Sequence, residues 1–189
     1  MKKIILTLLL FAGISMAANA QIVFNSAQTL QKGTFSIGIN PAWGDYGNGF
    51  ALLFHGGYGI GKNADLSAKL GFGWGNPYVG IDFEKSFLSG KPSLSVYAGG
   101  HYWNDFGLDL GTIVTFQASN VYISTGLDMD IVFGRDANNN NNLDLHIPLW
   151  LPLEVEFYLK KHLSLIFEAD IPLTSTAFTI VGGGVSIYF

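Results

Sequence analysis

From Leu143 to Leu159 the chain alternates without a slip. The odd positions are all apolar: Leu143, Leu145, Ile147, Leu149, Leu151, Leu153, Val155, Phe157 and Leu159. The even positions are mixed: Asp144, His146, Pro148, Trp150, Pro152, Glu154, Glu156 and Tyr158. A helix would scatter such a pattern around its axis, whereas a strand places each set on one face. Nine more segments follow the same rule, roughly 34–43, 50–60, 65–74, 78–87, 93–103, 108–117, 121–133, 163–172 and 177–189. Over 65–74 the apolar set is Leu66, Ala68, Leu70, Phe72 and Trp74, against Ser67, Lys69, Gly71 and Gly73. The prediction is an all-β chain of about ten antiparallel strands, or eight if a segment is over-split.

Composition decides what the apolar faces meet. Hydrophobic residues make up 49% of the chain and charged residues 13%, where a soluble domain carries about 25% charged. No run of 18 apolar residues follows the first twenty positions, so no helix is predicted to span a bilayer. A tilted ten-residue strand covers roughly 25 Å, the height of an outer-membrane apolar band. The alternative is a secreted lipocalin-like barrel with its apolar face inward. It fits less well, because the polar faces carry many glycines (Gly71, Gly73, Gly99, Gly111, Gly126) and few charges to solvate a surface.

The first twenty residues read as a cleaved export signal. Lys2 and Lys3 precede the apolar stretch Ile4–Ile14, and Ala18-Asn19-Ala20 fits a small-x-small cleavage site. Residues 21–32 then form a short periplasmic segment and 33–189 the barrel. Losing the two lysines leaves eight basic against fourteen acidic residues, a net charge of −6. That balance argues against nucleic-acid binding. With no cysteine, disulfides and a lipidated N-terminal Cys are excluded.

The connections at 61–64, 89–92, 118–120 and 160–162 carry turn residues and are expected on the periplasmic side. The opposite set includes the longest connection, 134–142, with its run of five Asn. Trp43, Tyr46, Phe50, Trp74, Tyr78, Trp103 and Phe106 are then expected near the external interface, and Tyr58, Phe87, Tyr122, Tyr158 and Phe189 near the periplasmic one. The final strand, 179–189, ends on an aromatic with Val185, Ile187 and Phe189 on one face. With the export signal and ten alternating strands, the chain resembles the small bacterial outer-membrane barrels of the OmpA/OmpX-like type over about residues 30–189. The resemblance implies a transmembrane up-and-down barrel, assembly through the terminal strand by the barrel-assembly machinery, a lipid surround and a monomeric state.

The inward charges are the candidate chemistry. Lys69 is expected to pair with Glu84 across neighbouring strands. Glu154 and Glu168 are expected to face each other, with Glu156 and Asp170 close by, giving a narrow acidic lumen. His101, Asp109, Asp128, Asp130 and His146 are expected to converge near the outer mouth. Such a set suits a hydrated acidic rim, a divalent cation or acid–base chemistry. Asp109, Asp128, Asp130 and His146 are the weak metal candidates, and no cofactor is expected. Omptin-type proteases carry Asp and His at this height, but no omptin motif is present. Gly56–Asn63 fails as a P-loop at Asn63, which lacks the hydroxyl for Mg²⁺. Asp136–Asp144 echoes a calcium loop without its central glycine or final glutamate. The functional expectation is a structural or small cation-preferring pore protein. A surface-binding barrel using outer loops and an enzyme using His101, Asp109 and Asp130 are the alternatives.

Overall fold

The structure, a computed structural model, describes residues 29–45, 49–135 and 143–189. The export signal, Tyr46 and most of the Asn-rich segment, with its calcium-like pattern, lie outside them. Eleven strands form: β1 (Phe35–Gly44), β2 (Phe50–Gly61), β3 (Ala64–Gly73), β4 (Tyr78–Leu88), β5 (Ser93–Trp103), β6 (Asp105–Ala118), β7 (Val121–Arg135), β8 (Leu143–His146), β9 (Leu149–Lys160), β10 (Leu163–Pro172) and β11 (Ile180–Tyr188). Each pairs antiparallel with its neighbours, and β1 meets β11 to close the sheet into a barrel.

β8 and β9 are two pieces of one stave, so the barrel has ten. The predicted unbroken strand 143–159 is interrupted at Ile147–Pro148, and proline is the reason. Register is continuous across the gap, with Val132 opposite His146 and Met129 opposite Leu149. Pro148 accepts from Asp130 N at 3.1 Å but has no N–H to return.

The seam is tied at its lower end by the last residue. Phe189 N donates to Phe35 O at 2.8 Å, and Phe35 N donates back to Phe189 O at 3.2 Å. The two rings pack 6.4 Å apart. Along the seam Ile37 opposes Ile187 and Trp43 opposes Val181.

The faces separate as the alternation predicts. β1 alternates exposed and buried over its whole length. Outward stand Ile37, Phe54, Leu70, Ile81, Phe83, Leu110, Phe167 and Val181, all large and all exposed. An apolar belt around a closed sheet is the arrangement that lets strands cross lipid, since no edge is left with unpaired backbone groups. The fold is that of a transmembrane β-barrel.

Three predicted positions move. Trp74, Tyr78 and Trp103 share the end of the barrel expected to be external, yet all three point inward and are buried. Gly73 at φ 129° and Trp74 at φ 31° break the alternation and swing the Trp74 ring off the lipid face. Tyr78 and Trp103 follow the inward parity of their own strands. The last strand is also shorter than 177–189, because Ala177 and Phe178 leave the wall and turn into the interior.

The belt makes a graded prediction. Phe83→Arg, midway along β4, should cost about 2–4 kcal/mol, while Phe87→Arg near its end should cost about 0–1 kcal/mol. Urea unfolding of the barrel from lipid vesicles reads both. Equal costs would deny that this face meets hydrocarbon.

Candidate functional site in the barrel lumen

The interior is filled in three layers. The outermost is apolar. Trp74, Tyr78, Trp103, Trp150 and Phe178 are all buried there. Phe178 meets Trp74 edge-on at 5.8 Å and Trp103 at 6.3 Å, and the two tryptophans stand 5.9 Å apart. Trp150 Nε1 donates to Phe178 O at 2.9 Å, so the indole is satisfied as well as packed. The segment that delivers Phe178 is tied to the wall on both sides. Leu173 N donates to Leu149 O at 2.8 Å, and Asp45 N donates to Thr179 O at 3.2 Å.

Beneath this plug lies a charged layer. Lys69 Nζ pairs with Asp82 Oδ2 at 2.8 Å. His101 Nδ1 sits 2.5 Å from Asp109 Oδ1. Asp109 stands directly opposite Asp130 on the next strand. The Tyr97 hydroxyl donates to Asp128 Oδ1. Glycines make room for these side chains. His101 lies across Gly107 and Tyr97 across Gly111, their partners on β6. A Cβ on Gly107 would fall 2.3 Å from His101 Cε1, and one on Gly111 would fall 2.2 Å from the Tyr97 ring. Tyr78 covers the other side of His101, stacked at 5.5 Å and 23°.

The third layer is a cavity of about 80 Å³ toward the Phe189 end of the barrel, lined by His55, Asp65, Glu84, Glu154, Glu156 and Tyr188 among others. Leu30 N donates to Asp65 Oδ2 at 2.7 Å, which brings the residues before β1 against the barrel's lower rim. Tyr188 donates to Glu156 Oε1 at 2.5 Å and stacks on Tyr158 at 5.5 Å. His55 Nε2 lies 2.9 Å from Ser186 Oγ.

The sequence-predicted residues fall as follows. Lys69, Glu84, Glu154, Glu156, Glu168 and Asp170 are all buried inside the wall. Glu154 opposes Glu168, while Asp170 opposes Pro152. Lys69 does not pair with Glu84: the hairpin register sets Lys69 opposite Gly80 and Asp65 opposite Glu84, and Asp82 is the diagonal neighbour that Lys69 reaches. Asp109, Asp128 and Asp130 are buried, 0–1% exposed, so they form no hydrated rim at the mouth. His146 does not join them. It opposes Val132 and holds Asp144 at 3.2 Å, both half-exposed above the plug. Ile187 and Phe189 point outward, and Val185 is half-buried.

Asp82, Asp65, His55, Tyr97 and Phe178 are lumen residues that the sequence reading does not single out. Parity marks the first four; Asp82, for instance, stands two residues before Glu84 on β4. Phe178 has no such mark, because it lies on no strand. Among the described residues, ten buried carboxyl groups share the interior with a single buried lysine.

No family profile and no curated protein matches the chain. Among solved structures it is similar to a de novo designed transmembrane β-barrel, at 11% identity over 85% of this chain and 99% of that one, with a TM-score of 0.44. It is similar to the N-terminal barrel domain of Pseudomonas aeruginosa OprF at 11% identity, 85% and 100% coverage, and 0.42. The outer membrane protein Omp33 of Acinetobacter baumannii gives 8% identity, 84% and 99% coverage, and 0.43. At these values the likeness is one of outline.

The Lys69–Asp82 pair yields a test. Lys69→Met leaves Asp82 without its cation and should destabilise the barrel by about 3–5 kcal/mol, whereas Lys69→Met/Asp82→Leu should recover most of that loss. Denaturant titration in micelles measures both. A double variant as weak as the single would mean that Lys69 serves other acids more than Asp82.

Proposed function

We propose that the chain is an integral outer-membrane barrel of a Gram-negative bacterium, with its lumen closed at the outer mouth: a structural barrel and not a diffusion pore. The observation that carries this is the plug of Trp74, Tyr78, Trp103, Trp150 and Phe178. Three rings in mutual contact, Trp74, Trp103 and Phe178, with Trp150 bonded to Phe178 and Tyr78 stacked on His101 beneath, leave the acidic layer without a wet path to the outside. The apolar belt supports a lipid surround, and the outward Ile187 and Phe189 on the closing strand suit recognition by the barrel-assembly machinery. Export through a signal removed after Ala20 and a monomeric state complete the reading.

The pore alternative needs water through the plug. The enzyme alternative needs His101, Asp109 and Asp130 to meet a substrate, and they lie under the rings, at most 6% exposed.

Reconstitution in planar bilayers tests the closed lumen. The native barrel should give no steady conductance. Trp150→Ala/Phe178→Ala removes the centre of the plug and should open a cation-preferring conductance, since buried carboxylates then line the path. Steady conductance from the native protein would overturn the proposal.

A further inference from the structure

Three side chains from three successive strands meet beneath the plug. His101 on β5, Asp109 on β6 and Asp130 on β7 each offer one ligand atom, and those atoms lie within 4.8 Å of one another. The sheet register makes the meeting obligatory. Asp109 is fixed opposite Asp130, and His101 opposes Gly107, two residues from Asp109 on the same strand. All three are buried.

We propose that His101, Asp109 and Asp130 form a binding site for one divalent transition-metal ion, reached from the periplasmic end of the lumen. Two observations beyond the clustering point to a ligand. Of the described residues, none donates a hydrogen bond to Asp109 Oδ2 or to Asp130 Oδ1, though both atoms are buried. A buried carboxylate oxygen without a donor is costly unless a cation or a proton satisfies it. The one buried lysine among the described residues is shared: Lys69 holds Asp82 at 2.8 Å and also faces the charges of Asp109 and Asp128, so it cannot neutralise all of them.

Geometry and charge agree. An ion about 2.0–2.2 Å from each ligand needs ligand atoms roughly 3–4 Å apart. The three atoms lie within 4.8 Å of one another, and because His101 Nδ1 is hydrogen-bonded to Asp109 at 2.5 Å, the imidazole would bind through Nε2 or that bond would open. Two carboxylates and a neutral imidazole balance a charge of +2. The imidazole is held in place before any ion arrives, between the stacked Tyr78 ring and Gly107. Asp128 is not counted as a ligand, because Tyr97 already holds one of its oxygens. One imidazole with two carboxylates favours Zn²⁺ or Mn²⁺ over Ca²⁺ and Mg²⁺, which prefer all-oxygen sets. The plug blocks approach from outside. At the other end Asp65, Glu84, Glu154 and Glu156 line the lower cavity; its lining stops short of the three ligands, so entry needs the side chains between them to move.

The test uses the full barrel, refolded in micelles and stripped of metal. Zn²⁺, Mn²⁺ and Ca²⁺ are titrated by calorimetry, and the four histidines are followed by ¹⁵N NMR. The expected result is one Zn²⁺ or Mn²⁺ per barrel, Ca²⁺ weaker by at least about tenfold, and a Zn²⁺-dependent shift of the His101 resonances, assigned with His101→Gln. Asp109→Asn/Asp130→Asn should weaken Zn²⁺ by more than about 100-fold, since loss of a mere supporting partner already costs up to that order. No binding, a shift confined to His146 beside Asp144, or undiminished binding in the double variant would each overturn the site. Should the double variant fail to fold, the His101 shift in the native barrel decides alone. A native barrel that conducts yet binds Zn²⁺ at His101 would remove the closed lumen and leave the metal site standing.

Discussion

Everything in this molecule depends on the pairing of β1 with β11. A sheet edge in hydrocarbon exposes a row of amides and carbonyls with nothing to bond, so a spanning sheet must close. Closure here ends on the reciprocal bonds between Phe35 and Phe189. Once the ring is shut, every side chain is assigned to one of two solvents. Outward positions meet lipid and must be apolar; inward positions meet each other. The high hydrophobicity and the acidic interior thus share one cause, because a chain that spends its apolar residues outside has mostly polar ones left to fill the middle.

The middle is narrow, and that shapes its contents. Opposite residues in an antiparallel pair stand close, so an inward ring gains room when its partner is a glycine. The chain answers by setting His101 against Gly107 and Tyr97 against Gly111. Each ring then lies along the wall instead of crossing the lumen, and the space left at the centre goes to carboxyl groups. Aromatic rings laid flat also stiffen the polar groups they carry. The Tyr97 hydroxyl reaches Asp128, and His101 reaches Asp109, from rings with little freedom to turn.

Faces were legible in the sequence because alternation has a period of two and needs no knowledge of neighbours. Lys69, Glu154 and Glu168 could therefore be assigned to the interior from one strand at a time. Partners were not legible in the same way. Whether Lys69 meets Asp82 or Glu84 depends on the register of the β3–β4 hairpin, and one turn residue more or less changes the answer. His146 shares a face with Asp130 yet stands at another height, which parity does not encode. The plug was hidden for a different reason. Trp74 departs from its strand's pattern through a backbone twist at Gly73, and Phe178 belongs to a connection that folds inward. Neither leaves a periodic trace, and only contact between distant segments reveals them.

The plug and the acids belong to one design constraint. Rings at the outer mouth exclude water, and exclusion of water strengthens every charge interaction beneath them. Carboxylates that would be harmless in a hydrated pore become expensive in a sealed one. With the outer mouth closed as proposed, their neutralising partners, whether protons or metal ions, would arrive from the opposite end, where the acid-lined cavity lies. The barrel is therefore chemically one-sided although its wall is continuous. On that proposal, what it holds beneath Trp150 and Phe178 exchanges with the compartment on the cavity's side and is shielded from the other.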